Sequence, residues 1–246
     1  MQYRLRFFLS HLALSAIVVG SAIALVVFLW YPPPFAQLEG IFSVLLIMVG
    51  VDIGAGPLCT LVAASPTKPR AHLVRDLAVI GCVQLAALSY GIHTAFVARP
   101  AYVVYSVGQF EIEHANELTA AELAKAAGTP FASAPLLGPV FVEARFPTDK
   151  KAVARIVLSA IRGGPDIKDM PRYYVAWPGV GTDAGKYARS VSHVPERSLR
   201  HAIGDLLRKR HISAHDAMIL PINGKVNRGS VVLRRSNLAV IGIVLS

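Results

Sequence analysis

Residues 50–61 read GVDIGAGPLCTL, and they place an acid, three glycines and a proline inside an apolar run from Gly40 to Ala64. That run is longer than the roughly 20 residues that a helix needs to cross the hydrocarbon core of a bilayer. Asp52 would lie near the bilayer midplane, where a carboxylate costs about 2.5–3.5 kcal/mol on insertion scales. An acid at this depth is expected to face protein or water, so the stretch predicts a membrane helix that packs against other helices.

The small residues around Asp52 predict two contact faces on this helix. Gly50 and Gly54 form a small-xxx-small pair, which lets helix backbones approach closely. At about 100° per residue, Gly56 lies near Asp52 on the helix surface, whereas Gly50 and Gly54 lie roughly opposite. We therefore predict that Asp52, Gly54, Gly56 and Pro57 contact a neighbouring helix or a partner. The alternative is that Asp52 is a neutral, hydrogen-bonded structural acid inside the bundle.

The composition of the whole chain also indicates a membrane protein. Of its 246 residues, 54% are hydrophobic and 16% are charged, and the mean hydropathy is +0.49, which is too apolar for an ordinary soluble domain. The net charge of +10 suits anionic lipid headgroups or an acidic partner. We discount nucleic acid, because no nucleic-acid-binding motif accompanies the charge. The two cysteines, Cys59 and Cys82, are read as packing residues of the membrane helices.

Two further apolar runs complete a predicted bundle of three transmembrane helices. The first helix spans about residues 7–31, and its apolar run is too long for a signal peptide. The second spans about residues 40–64 around Asp52, and the third about residues 77–98. We therefore expect an integral membrane protein with a membrane domain over residues 1–100 and a second domain over residues 101–246.

The third helix carries candidate partners for Asp52. Counted from the loop before it, Gln84 and Tyr90 come to roughly the same depth as Asp52, so one of them is expected to bond to the acid. The alternative partners are Ser15 and Ser21 of the first helix. Gln84 and Tyr90 complete the set of predicted contact residues.

Lysine and arginine are unevenly distributed over the short connections. Arg4 and Arg6 precede the first helix, and Lys68 and Arg70 lie between the second and third helices, whereas residues 31–40 contain neither residue type. Because positive charges in short loops mark the cytoplasmic side, the N-terminus is expected to be cytoplasmic. Three spans then place the domain beyond residue 100 in the periplasm.

The patterns beyond residue 100 predict an α+β domain. Apolar alternation predicts strands over residues 102–107, 110–114, 139–146, 172–177, 217–222, 230–233 and 239–245. Helical spacing and capping residues predict helices over residues 119–127, 148–161 and 195–210. The last two strands are expected to form a hairpin.

Two stretches of this domain superficially suggest ligand sites. The glycine-rich residues 179–186 lack the spacing of a phosphate loop, since Val180 stands where that motif requires glycine, and we expect a flexible surface loop. His211 and His215 have a spacing that suggests a metal, but the neighbouring basic residues 208–210 would repel a cation. We therefore predict no metal site and no cofactor.

Catalytic groups are also not evident. No nucleophile elbow or zinc-protease motif is present. Glu111 and Glu113 point to the same side of a predicted strand, and we interpret them as solvated strand charges rather than as a catalytic pair. The chain is accordingly expected not to be an enzyme.

Several short motifs follow one another along the membrane half. They are FLSHL at residues 8–12, FLWYP at 28–32, GVDIGAGPLCTL at 50–61, QLAALSYG at 84–91 and ARPAY at 98–102. Taken together, they resemble the TfpX/TfpZ family of type IV pilin accessory proteins, which are bacterial inner-membrane proteins whose genes accompany pilin genes. The resemblance is dense over about residues 1–110 and looser beyond.

This resemblance implies a non-enzymatic accessory protein for type IV pilus assembly in the inner membrane. Its partner would be the major pilin, bound or chaperoned before incorporation, and other pilus assembly proteins are further potential partners beside the lipid bilayer. A groove around Asp52, Gly56 and Gln84 would shelter the pilin's membrane helix, which also carries a buried acid. Two alternatives stay open: a membrane-anchored envelope enzyme and a periplasmic sensor, each acting on pilin or glycan.

Overall fold

The structure, a computed structural model, describes residues 1–246 and forms two compact units. One unit consists of Met1–Trp30 and Ile41–Val97, and the other consists of Tyr31–Gly40 and Ala98–Ser246. The short segment of residues 31–40, which the sequence suggests is a turn of the membrane half, thus folds with the C-terminal unit. The reason is that Phe35 and Leu38 are buried in the hydrophobic core of that unit.

The first unit is a bundle of three long helices. Helix α1 (Gln2–Leu25) continues as a π-helical turn at Val26–Trp30. Helices α3 (Phe42–Val49) and α4 (Gly56–Ala63) are joined by a second π-helical segment, Gly50–Ala55. Helix α5 spans Arg70–Val97. By length and composition, Gln2–Trp30, Phe42–Ala63 and Arg70–Val97 could each cross a membrane.

The third helix begins earlier than its apolar run suggests. Its first two turns, from Arg70 to Asp76, are charged, and Asp76 pairs with Lys68 of the preceding loop. A helix need not end where hydrophobicity ends, because its backbone hydrogen bonds do not depend on the side chains. The apolar residues therefore predict the presence of this helix reliably, but they do not predict the residue at which it begins.

The second unit is a mixed α/β domain built on one sheet. Its strands are β1 (Pro100–Ser106), β2 (Gln109–His114), β3 (Val140–Ala144), β4 (Tyr174–Ala176), β5 (Arg189–Ser190), β6 (Ala217–Asn223), β7 (Arg228–Arg234) and β8 (Val240–Leu245). The strand order is β4-β3-β1-β2-β6-β7-β8, and β5 pairs with β6. Strands β1 and β3, and likewise β2 and β6, are parallel, whereas the other pairs are antiparallel. The predicted terminal hairpin is confirmed as β7–β8.

Helices and loops cover both faces of this sheet. The helices are α2 (Phe35–Glu39), α6 (Ala120–Lys125), α7 (Lys150–Ile161), α8 (Ala184–Tyr187) and α9 (Arg197–Lys209). Ile156 of α7 and Ile203 of α9 pack on one face, whereas Phe35 and Leu38 of α2 pack on the other, against the side chains that alternate along β1, β2 and β6. The predicted helices over residues 119–127, 148–161 and 195–210 are confirmed with small shifts at their ends.

Candidate functional site

Asp52 lies in the π-helical segment between α3 and α4, and it is only 3% exposed. In this segment the amide N–H of Gly56 donates to the carbonyl of Val51, five residues back. An α-helical turn would have used the carbonyl of Asp52 instead. The π register therefore leaves the Asp52 carbonyl free for a different donor. Such π turns are rare and often mark functional sites.

The free carbonyl of Asp52 is bonded by Gln84 of α5. The Gln84 side-chain amide Nε2 donates to it at 2.9 Å, and the same nitrogen lies 3.5 Å from Ser15 Oγ of α1. All three residues are buried, and each lies near the middle of its helix. Asp52, Gln84 and Ser15 thus join the three helices through a polar contact at mid-length.

The other proposed partners of Asp52 lie elsewhere. Tyr90 is 74% exposed on the outer surface of α5, and the Ser21 hydroxyl donates to the Ile17 carbonyl of its own helix. Tyr90 therefore lies outside the buried polar contact. The sequence placed Gln84 and Tyr90 at similar depth, but it did not distinguish the faces of α5 on which they lie.

The glycines and the proline have separate structural roles. A Cβ at Gly56 would overlap the side-chain amide of Gln84, so this glycine makes room for that amide. At Gly50 and Gly54 a Cβ would meet nothing within 4 Å, so this pair faces no neighbour within the chain. Pro57 is buried in the first turn of α4, where a missing amide donor is tolerated.

Two oxygens of this cluster have no hydrogen-bond partner. They are Asp52 Oδ2 and Gln84 Oε1, and both are buried. Both residues line a cavity of about 200 Å³, whose other walls are mostly apolar. Leu14 and Leu85, which also line it, are 61% and 62% exposed on the outer surface of the helices. The cavity thus reaches that surface, and it presents two unsatisfied acceptors to whatever occupies it.

His11 and Thr60 form a second polar contact in the same bundle, and sequence reasoning missed it. His11 Nδ1 lies 2.6 Å from Thr60 Oγ1, and His11 lines the cavity. Their spacing in the sequence could have indicated this contact. His11 precedes Ser15 by four residues and Thr60 follows Asp52 by eight, so His11 lies on the same helix face as Ser15, and Thr60 on the same face as Asp52.

The second unit contains a buried charged cluster that sequence reasoning also missed. Glu113 is fully buried, and its Oε2 accepts from Lys168 Nζ at 3.0 Å. Burial raises the pKa of Glu113 to about 8, although the Lys168 ammonium opposes the shift. The interpretation of Glu113 as a solvated charge is therefore wrong. Strand β2 lies in the middle of the sheet with both faces covered, and the alternation of a single strand does not reveal this.

His114 links this cluster to the segment of residues 31–40. Its Nε2 lies 2.5 Å from Glu39 Oε2, and its Nδ1 lies 2.7 Å from Glu117 Oε2. Burial lowers the pKa of His114, but the hydrogen bonds and charges of Glu117 and Glu39 outweigh burial, so the pKa is raised. The contact ties residue 39 to the sheet, and it has the character of a structural ion pair.

The stretches considered for ligands have other environments. Residues 179–186 run into α8 (Ala184–Tyr187). The hydroxyl of Tyr105 in β1 donates a hydrogen bond to Asp183 Oδ1 at 2.8 Å, so this loop is anchored to the sheet. His215 and Asp216 are exposed and 3.7 Å apart. The structure shows no group of three or more His, Cys, Asp or Glu side chains that could hold a metal ion.

Comparison with known proteins gives consistent matches. The family model "Fimbrial assembly protein FimB" matches residues 1–40. The fimbrial assembly protein of Dichelobacter nodosus serogroup I is 25% identical over 218 residues, which cover 86% of this chain and 83% of the relative. The serogroup E1 protein is 26% identical over 216 residues, with the same coverage. No solved structure matches.

A third relative is more similar over a shorter region. The fimbrial assembly protein of D. nodosus serogroups C1 and C2 is 31% identical over 116 residues, which cover 47% of this chain and 88% of that protein. This level of identity over most of the relative establishes common family membership. The chain therefore belongs to the family of fimbrial assembly proteins, and the resemblance to type IV pilus accessory proteins is confirmed.

Proposed function

We propose that this protein is a non-enzymatic accessory factor of the bacterial inner membrane that binds the major pilin before the pilin enters the pilus. Membership of the fimbrial assembly family supports a role in pilus assembly. Three long apolar helices fit association with a membrane. In the proposed topology the N-terminus is cytoplasmic and the sheet unit is periplasmic. The reason is that basic residues lie before the first long helix and between the second and third, whereas residues 31–40 contain no Lys or Arg, and positive charges in short loops mark the cytoplasmic side.

One observation carries the proposal of pilin binding: the cavity beside Asp52 reaches the outer surface of the helical unit. An ionisable residue inside a membrane helix is costly and tends to mark a functional site, which supports a role for Asp52 beyond anchoring. The rim residues Leu14 and Leu85 are apolar and exposed, so a second apolar helix can pack over them. The resemblance implies that a pilin's membrane helix carries a buried acid of its own, which requires polar surroundings.

Photo-cross-linking in membranes tests this assignment. A photoreactive amino acid at Leu85, on the cavity rim, is expected to give an adduct with the major pilin. The same amino acid at Val62 is the matched control, because Val62 is equally apolar and 77% exposed but does not line the cavity. Adducts only with other copies of this chain, or equal pilin adducts from both positions, would contradict binding at the cavity.

Piliation provides an independent readout. Asp52→Asn keeps the size of the side chain and removes the carboxyl group, and it is expected to lower pilin stability and piliation. Ser21→Ala is the control, because the Ser21 hydroxyl bonds only within its own helix. Normal piliation and pilin levels in the Asp52 variant would exclude a role for the acid in pilin binding.

A further inference from the structure

We propose that a cavity in the sheet unit binds a carboxylate that is attached to an apolar group. The cavity has a volume of about 410 Å³. It lies where β6 changes its neighbour in the sheet, from β5 at residues 218–219 to β2 at residues 222–223, and its other walls come from the β1–β2 turn, β7 and the start of α9. None of its residues lines the cavity beside Asp52, so the proposal does not depend on pilin binding.

The basic side chains of this cavity have no acidic partner there. Arg189 of β5 and His193 line it, whereas no Asp or Glu does. Arg189 is exposed and forms no ion pair within the chain. A guanidinium keeps its positive charge at physiological pH, and its planar array of N–H groups matches the two oxygens of a carboxylate. The cavity therefore offers an uncompensated positive charge to an anion.

A buried hydroxyl in the same cavity also lacks a partner. Ser230 of β7 is only 5% exposed, and it lines the cavity. Its hydroxyl forms no hydrogen bond within the chain, and a buried polar group is costly to leave unpaired. Since a hydroxyl can donate to a carboxylate oxygen, Ser230 indicates, independently of the charges, that the cavity takes a polar group.

The first turn of α9 adds further donors. The helix begins at Arg197, and the side chain of Glu196 at its N-cap position does not bond to the amide groups of that turn but accepts from the Ser198 hydroxyl. The first amide groups of a helix have no partner in the helix itself, and they favour a nearby anion. Pro195 and Leu199, on either side of the helix start, both line the cavity, so this helix end lies beside it.

Apolar side chains form most of the remaining wall and restrict the kind of anion. Val194, Leu199 and Ile219 line the cavity, and Val107 at its rim is 69% exposed. A free inorganic anion would leave these side chains in water, whereas cavities with apolar walls and few polar groups suit largely apolar ligands. Arg189 is the only Lys or Arg among the lining residues, which matches the single charge of a carboxylate better than the nearly double charge of a phosphate monoester.

Equilibrium dialysis of the full-length protein in lipid nanodiscs tests the proposal, with empty nanodiscs as the blank. The C-terminal residue of a peptide and a short fatty acid both carry a carboxylate on an apolar group. The radiolabelled probes are therefore an acetylated tripeptide ending in leucine and hexanoate, each compared with its uncharged amide. We expect at least one acid to bind at least about tenfold more tightly than its amide, which corresponds to about 1.4 kcal/mol.

Variants assign the binding to this cavity. Arg189→Gln is expected to abolish the preference for the acid. Arg228→Gln is the matched control and is expected to keep it, because Arg228 is equally exposed in the sheet unit but does not line the cavity. Preference for the peptide acid alone would identify a chain terminus as the ligand, and preference for hexanoate alone would identify a fatty acid.

Three outcomes would overturn the proposal. Equal binding of both acids and their amides would show that the cavity does not recognise a carboxylate. A preference that persists in the Arg189 variant would place the acid elsewhere on the protein. Displacement of the bound acid by an equal concentration of inorganic phosphate would assign the cavity to phosphate anions instead.

Discussion

Gly54 and Gly56 are two residues apart in the chain, but an added side chain would have different consequences at the two positions. At Gly56 a Cβ meets the amide of Gln84, whereas at Gly54 it meets nothing. The difference follows from the helix turn, which directs Gly56 toward α5 and Gly54 away from its neighbours. The same residue type therefore makes room for the internal polar contact at position 56 and faces an open surface at position 54.

Substituting the two glycines by alanine tests this difference. Gly56→Ala is expected to lower the free energy of unfolding by about 1–3 kcal/mol, because the new methyl group displaces the Gln84 amide. Gly54→Ala is expected to be neutral or to stabilise by about 0.5–1 kcal/mol, because alanine favours helical backbone over glycine. Denaturation in detergent can be followed by Trp30 fluorescence in a Trp177→Phe background. Equal effects of the two changes would contradict the packing of Gln84 against Gly56.

Glu113 makes the stability of the second unit depend on pH. Its pKa is raised from 4.5 in the unfolded chain to about 8 in the folded one, mainly by burial, so the folded state binds more protons between these values. The free energy of unfolding therefore falls as pH rises through this range. His114, whose pKa is raised from 6.5, acts in the same direction above pH 6.5. The range from pH 4.5 to 6.5 consequently reports mainly on Glu113.

Glu113→Gln is expected to flatten the dependence of stability on pH between 4.5 and 6.5. Gln cannot titrate, and Lys168 keeps a carboxylate partner in Asp169 at 2.6 Å. The denaturation midpoint of the full-length protein, read from Trp177 fluorescence in a Trp30→Phe background, provides the measurement. Glu111→Gln, on the same strand at a partly exposed position, should leave the slope as it is. An unchanged slope in the Glu113 variant would show that this carboxyl ionises normally.

At the scale of elements, the short helix α2 is the connection between the first two long helices, but it is also part of the sheet's core. Leu38 is fully buried, and its carbonyl accepts from the amide groups of Val226 and Asn227. Glu39 reaches His114. The close approach requires glycine at position 224, where a Cβ would lie 2.6 Å from the carbonyl oxygen of Leu38. A ten-residue connection is therefore held by burial, by backbone hydrogen bonds and by an ion pair.

Leu38→Ala is expected to destabilise the sheet unit by about 2–5 kcal/mol, the usual cost of a cavity at a fully buried leucine. Gln37→Ala changes the neighbouring exposed residue and is expected to stay within about 0.5 kcal/mol of wild type. Trp177 packs against the same hydrophobic cluster, so its fluorescence during denaturation reports on this unit. A Leu38 variant as stable as the Gln37 variant would show that α2 does not contribute to the core.

For the whole molecule, the membrane topology is constrained by the fact that the second unit is made of two separate segments of the chain. Residues 31–40 follow the first long helix and residues 98–246 follow the third, and both segments fold into one unit. If the three long helices cross the membrane, these two segments must lie on the same side of it. One span precedes residues 31–40 and three spans precede residues 98–246, so the proposed topology, with a cytoplasmic N-terminus, meets this condition.

Labelling of single cysteines tests the proposed topology in the full-length chain, with Cys59 and Cys82 replaced by alanine. Gln37→Cys and Ser236→Cys, both at exposed positions of the second unit, should react with a membrane-impermeant maleimide in intact spheroplasts. Thr67→Cys, in the exposed loop between the second and third long helices, should react only after permeabilisation. Labelling of position 67 without permeabilisation, or different accessibility at positions 37 and 236, would refute the arrangement.

Features that depend on local residue patterns are predictable from the amino-acid sequence. Three long apolar runs, the alternating strands of the second half and the terminal hairpin follow from residue order, because hydrophobic periodicity reflects which side of an element is buried. Asp52 and Gln84 were identifiable as well, since a polar residue within an apolar run is conspicuous. The family resemblance depended on the same helical half, where the motifs are dense.

Which of these elements contact one another is visible only in the folded chain. The strand order, the inclusion of residues 31–40 in the sheet unit and the burial of Glu113 depend on contacts between residues far apart in the chain, and local periodicity contains no information about such contacts. The same holds within the bundle, where the choice of Gln84 over Tyr90 depends on how α5 is rotated. The π register at Asp52 is visible only in the backbone, and it exposes the carbonyl that Gln84 binds.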